Sequence, residues 1–171
     1  YEKFAAVRNH LKEFKEDVTF EYFNEFGLNE YVNFLRNYVG SKNLDKWIQF
    51  IGPQSDIKQL YRDTDIVLMC SQSEAFGRVT VEAMMSGCLV IGANSGGTME
   101  LVSDNETGLL YTSGDYSDLA AKIRLALKYP DRMRDIAKQG QSKMLNEMTA
   151  QNNAFRINEL YREIVSDTEG I

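Results

Sequence analysis

Two short, uninterrupted apolar runs, Ile66-Val67-Leu68-Met69-Cys70 and Cys88-Leu89-Val90-Ile91, constrain this chain more than any other feature. Neither alternates with polar residues, so each reads as a parallel strand buried on both faces. Between them a loop, Ser71 to Phe76, leads into a helix from about Gly77 to Ser86, which Gly87 closes. A strand, a helix and a second strand of this kind make a crossover unit, and the rest of the sequence repeats the alternation.

Upstream, Phe4, Val7, Leu11 and Phe14 mark an amphipathic helix ending near Glu16-Asp17. Val18 to Phe23 reads as a half-exposed strand, because Thr19 and Glu21 alternate with its apolar residues. Leu28, Tyr31, Val32, Leu35 and Val39 follow the helical period, with Gly40 as the stop. A strand Trp47 to Ile51 is broken by Gly52-Pro53, and Ser55 or Asp56 caps a short helix carrying Ile57, Leu60 and Tyr61. Downstream, Asn94 to Gly97 is a glycine-rich turn, Met99 to Val102 a helical turn, and Gly108 to Tyr111 a strand. From Tyr116 the strands stop. Leu119, Ile123 and Leu127 line one helix, and Met133, Ile136, Ala137 and Met144 another after Pro130. Ile157, Leu160, Tyr161, Ile164 and Val165 form a stripe on the last, which either covers the core or docks onto another domain. The expected fold is α/β, a Rossmann-like doubly wound parallel sheet closed by C-terminal helices.

At 171 residues with 43% hydrophobic composition, the chain suffices for one core without disulfide or metal. Nineteen Lys and Arg against 25 Asp and Glu give a net charge of −6, and no basic run offers a footprint for nucleic acid. No apolar run approaches a membrane span, and the start lacks the pattern of a secretion signal. Cys70 and Cys88 lack metal-ligand spacing, and the one histidine, His10, is read as a surface side chain. Reduced thiols in a cytoplasmic protein are expected. All seven methionines lie at Met69 or later, and a helix is already under way at Tyr1, so the sequence reads as part of a longer chain.

In an open parallel sheet, ligands bind outside the carboxyl ends of the strands. The loops there run from Gly52 to Asp56, from Ser71 to Gly77 and from Gly92 to Thr98, all rich in small residues. The latter two enter helix N-termini, where free N–H groups and the dipole favour phosphate. Glu74 precedes its helix, and Glu82, after seven intervening residues, lies inside it. Carboxylates accept paired hydrogen bonds from vicinal hydroxyls, so two of them flanking an anion site suit a nucleotide sugar. The competing reading makes Glu82 a solvated helix residue and Glu74 a first-turn dipole partner. Asp63-Thr64-Asp65 has a metal-binding spacing, but it joins a helix end to a strand, where Asp acts as cap or turn former.

The run from Ser73 to Gly87, with Val90-Ile91, Ser95 to Val102 and Thr107 to Leu110, resembles the donor-binding half of GT-B glycosyltransferases, specifically the retaining family 4. The likeness is dense from about Asp45 to Tyr111. It implies that Glu74, the expected catalytic residue, contacts donor-sugar hydroxyls and that Glu82 binds the ribose. Peptide groups at Phe76, Gly77 and Arg78 would lie near sugar and phosphate, Val79 near the ribose, Gly52 and Pro53 near the base, and Gly96 and Gly97 at the cleft floor. For these last two, a simple turn is an equal alternative. Arg78 either faces phosphate or pairs with an acidic neighbour, and Ala75 replaces a frequent glycine.

The resemblance further implies a UDP-sugar or GDP-sugar donor, no cofactor and no metal, and transfer to a glycan or lipid acceptor, as in polysaccharide biosynthesis. Residues 1–171 would be the donor domain. The N-terminal acceptor domain, this domain's first strand and an upstream Arg/Lys pair for the diphosphate are absent, so the isolated chain is expected to turn over poorly or not at all. Localisation would be cytoplasmic, or peripheral at the inner membrane face through the missing domain. Two alternatives stand beside this reading. One is a non-catalytic nucleotide-sugar-binding subunit of a split enzyme. The other is a glycoside hydrolase, disfavoured because eight residues of helix rise about 12 Å, beyond the usual carboxylate separation.

Overall fold

The structure, a computed structural model, describes residues 20–23, 29–51, 54–71 and 74–168. The expected helix before Asp17, His10, and Gly52 and Pro53 lie outside them. Five strands alternate with helices: β1 Phe20–Phe23, α1 Asn29–Ser41, β2 Ile48–Ile51, α2 Ile57–Arg62, β3 Ile66–Met69, α3 Arg78–Met85, β4 Leu89–Ala93, α4 Gly97–Leu101 and β5 Leu109–Tyr111. Three helices close the order, α5 Tyr116–Lys128, α6 Pro130–Glu147 and α7 Ala150–Thr168.

Every strand pairing among the described residues is parallel, as the doubly wound reading requires, in two ladders, β1–β2 and β3–β4–β5. The central strand β4 is buried at all five positions. Its side chains divide by the two-residue period. Leu89, Ile91 and Ala93 join Leu109 and Tyr111 of β5 against Leu119 and Ile123 of α5 and Ile136 of α6. Val90, with Cys88 just before the strand, turns to the opposite face and packs with Val81 and Met84 of α3, Leu101 of α4 and Met144 of α6. Helices on both faces explain the absence of polar alternation.

The equally apolar β3 behaves differently. Ile66, Val67 and Leu68 are half-buried and only Met69 is buried, because among the described residues β3 pairs with β4 alone. Full burial of this strand is therefore corrected. The stop at Gly40 is corrected too. Helix α1 runs through it to Ser41, and Asn43 takes the left-handed turn at φ +53°, while the Leu44 N–H donates to the Val39 carbonyl at 3.1 Å. Of the two candidate caps for α2, Asp56 acts, accepting the Gln59 N–H at 2.9 Å. Asp63 is the C-cap of that helix and accepts from the Gln59 side chain at 2.8 Å, the structural role expected of it.

Pro130 opens α6 at a position that needs no N–H. On α7, Ile157, Leu160 and Tyr161 are each more than half exposed, so the stripe does not cover the core formed by the described residues. No described helix is long and apolar enough to cross a membrane.

Candidate functional site

The carboxyl ends of β3, β4 and β5 open into loops that are tied to one another. After β4, the Asn94 N–H donates to the Tyr111 carbonyl at 2.9 Å, and its side-chain oxygen accepts the Ser113 N–H at 2.8 Å. The Ser95 hydroxyl donates to the Ser71 carbonyl at 3.3 Å, and the Gly97 N–H to the Glu74 carbonyl at 2.8 Å. Three strand ends thus form one edge.

The tie between Glu74 and Gly97 explains the paired glycines. A Cβ at Gly96 would stand 2.5 Å from the Glu74 carbonyl oxygen, and one at Gly97 would stand 2.8 Å from that of Phe76. The space beside both residues is filled by the backbone of the neighbouring loop, which is the close-approach role of glycine.

Glu74 caps the turn into α3. Its Oε1 accepts the Gly77 N–H at 3.2 Å, and Gly77 follows at φ +87°, a left-handed conformation where a side chain would also strike Leu101. The first turn of α3 holds no acidic residue, so its N–H groups and dipole stay available to an anion. At this entrance Phe76 is 57% and Val79 43% exposed. Thr80, the third residue of α3, is fully buried, and its hydroxyl has no hydrogen-bond partner among the described residues.

Glu82 has two different partners. Its Oε1 lies 3.6 Å from Arg78, an i, i+4 pair on α3, and its Oε2 faces the Tyr61 hydroxyl at 3.4 Å. Without a nucleotide present, Arg78 thus faces an acidic neighbour, with its side chain 84% exposed. The sequence reading counted Tyr61 only as part of the apolar face of α2. The available signal was the residue type, since a buried tyrosine ring needs a partner for its hydroxyl.

Across the edge, burial raises the Tyr111 phenol well above its usual range, and the charge and hydrogen bond of Cys70 add to the effect. Cys70 is exposed at the end of β3, whereas Cys88 is buried. Among the described residues no three His, Cys, Asp or Glu side chains cluster as a metal site. The structure thus brings Glu74, Phe76, Gly77, Gly96 and Gly97 together, with Arg78, Val79 and Glu82 following on α3.

A parallel α/β layer with this loop edge defines a Rossmann-like domain. The chain belongs to the family described as Glycosyl transferases group 1, which it matches over residues 26–143. It is 25% identical over 129 residues to the N-acetyl-alpha-D-glucosaminyl L-malate synthase of Bacillus anthracis, covering 75% of this chain and 34% of that protein. The fold is similar to that of Anabaena HepE (Alr3699) in complex with UDP, with TM-score 0.79 and 30% identity, over 94% of this chain and 44% of that one. It is also similar to the C-terminal domain of a glycosyl transferase group 1 family protein, LpcC, from Francisella tularensis. There the TM-score is 0.71 and the identity 27%, over 86% of this chain and 78% of that one. The architecture is that of a C-terminal GT-B glycosyltransferase domain, and it spans about a third of the length of the Bacillus relative. Family membership displaces the glycoside hydrolase reading of the two glutamates.

Proposed function

We propose that this chain is the donor-binding half of a retaining, metal-independent family 4 glycosyltransferase that takes a nucleoside diphosphate sugar, UDP-sugar first and GDP-sugar second. The observation that carries the reading is the α3 entrance, where Glu74 fixes the turn at Gly77 and the first-turn N–H groups face the edge at which parallel sheets bind ligands. The complex of HepE with UDP, at 30% identity, supports a nucleotide ligand and favours uracil as its base.

In this reading the α3 N-terminus, together with Arg78, stabilises charge on the departing nucleoside diphosphate, which is the main electrostatic demand of the transfer. Glu74 meets donor-sugar hydroxyls and Glu82 the ribose, with Val79 beside the ribose and Gly52-Pro53 beside the base. Gly96 and Gly97 act from beneath by letting the Glu74 loop approach. An upstream acceptor domain accepts the glycan or lipid, and the same segment supplies the first strand of this domain. The chain's coverage of only 44% of HepE supports that division. Without that segment and its cations the chain binds donor weakly and turns over poorly or not at all. In this reading the process is polysaccharide biosynthesis, and the location is cytoplasmic, or peripheral at the inner membrane face through the acceptor domain.

Calorimetric titration with UDP, GDP and ADP, without metal and then with magnesium, tests the reading, with Glu82→Ala alongside. Saturable binding selective for one nucleotide, unchanged by magnesium and weakened by the substitution, is expected. Binding that requires magnesium overturns metal independence, and no binding by any of the three up to millimolar concentration overturns the donor site in this chain.

A further inference from the structure

The two oxygens of Glu82 are held in unequal ways. Arg78, on Oε1, is a long side chain 84% exposed, and pairs of this kind exchange readily with water. Tyr61, on Oε2, is only 8% exposed and packs in the same cluster as Val81 and Cys88. Its backbone is fixed from two sides, because its carbonyl accepts the Cys88 thiol at 3.2 Å and the Thr64 N–H at 3.2 Å. With ring and backbone both held, the phenol hydroxyl is a fixed donor beside a carboxylate whose other partner is an exposed side chain.

We infer that Tyr61 is a positioning residue that sets the carboxylate plane of Glu82 for a vicinal diol. The inference rests on the proposed role of Glu82 as the ribose ligand. A carboxylate offers about four lone-pair directions. The phenol uses one on Oε2 and Arg78 faces one on Oε1, so one on each oxygen is left for the diol and Tyr61 stays in place when the nucleotide binds. The 3.4 Å separation exceeds the 2.5–3.0 Å of a fully formed O–H···O bond. It closes when the diol fixes the carboxylate, as such contacts commonly tighten in the complex. Tyr61 does not touch the nucleotide; it removes part of the ordering cost that Glu82 otherwise meets on binding.

This role separates from simple packing through the ribose hydroxyls. Tyr61→Phe keeps the ring, and its thermal midpoint reports whether the fold is intact. Titration of the chain with UDP and with its 2′,3′-dideoxy analogue, for wild type, Tyr61→Phe, Glu82→Ala and the double variant, provides the test. Tyr61→Phe is expected to raise the Kd for UDP about fivefold while moving that of the dideoxy analogue less than about twofold, and to add nothing once Glu82 is gone. Equal weakening of both ligands, no change for UDP, or additivity with Glu82→Ala overturns the inference. If wild type favours UDP over the analogue through Glu82 while Tyr61→Phe is silent, the positioning role alone falls. If wild type does not distinguish the two, or binds neither, the ribose role of Glu82 falls and this inference with it.

Discussion

The N–H of Gly97 donates to the carbonyl of Glu74 at 2.8 Å, so the turn after β4 holds the carboxylate loop that follows β3. A Cβ at residue 97 would come within 2.8 Å of the Phe76 oxygen and drive the loops apart. Gly97→Ala is therefore expected to cost about 1–3 kcal/mol of stability, the range for overpacking at a close contact. Urea unfolding measures this. The same variant should bind UDP more weakly than its stability loss accounts for, because Glu74 moves with the loop.

How far the sequence could be read depended on whether the deciding neighbour was local. Strand β4 was legible because continuous apolar residues require cover on both faces, and its five buried positions have it. The ordered run from Glu74 to Gly87 likewise carries its own helix entrance. Strand β3 has the same composition, but its burial depends on how many strands flank it, which no residue within it encodes. At the end of α1, glycine was the expected stop, yet Asn43 also tolerates the left-handed conformation and the packing of Leu44 selected it. Tyr61 escaped notice for a related reason. Twenty-one positions separate it from Glu82, and only the cluster that Tyr61 shares with Val81 and Met84 brings them together.

Arg78 is solvent-facing, and its pairing with Glu82 at 3.6 Å contributes little to the fold. Arg78→Ala should leave stability within about 0.5 kcal/mol of wild type by urea unfolding. If the residue turns to the diphosphate on binding, the same substitution raises the Kd for UDP about three- to tenfold and flattens its salt dependence. An affinity unchanged at every salt concentration assigns Arg78 to the helix surface alone.

The stripe on α7 and the core face of α6 offer a direct contrast. Ile157 is 54% and Leu160 59% exposed, whereas Met144 is fully buried. Ile157→Ser and Leu160→Ser should each change stability by less than about 0.5 kcal/mol, and Met144→Ala should cost about 2–5 kcal/mol. Parallel urea titrations decide it. A large loss at Ile157 would place that side chain in a packed interface.

The thiol of Cys88 links the fold to pH. It is buried and donates to the Tyr61 carbonyl at 3.2 Å. Burial first, and the negative charge of Asp65 second, push it up to about 11 from an ordinary 9.0, while a backbone hydrogen bond offsets part of the rise. In the unfolded chain the thiol ionises near its ordinary value. Between these two values the folded chain keeps a proton that the unfolded chain has lost, so raising the pH favours unfolding. The contribution is fully present below about pH 9 and is lost as the pH rises through about 11. Cys88→Ala removes this dependence and adds a packing loss that does not vary with pH. Every other group is common to both proteins, so the informative quantity is the stability gap between wild type and Cys88→Ala. Urea unfolding at steps across the alkaline range should show that gap narrowing as pH rises. A constant gap would mean that the thiol ionises equally easily in the folded and unfolded chains.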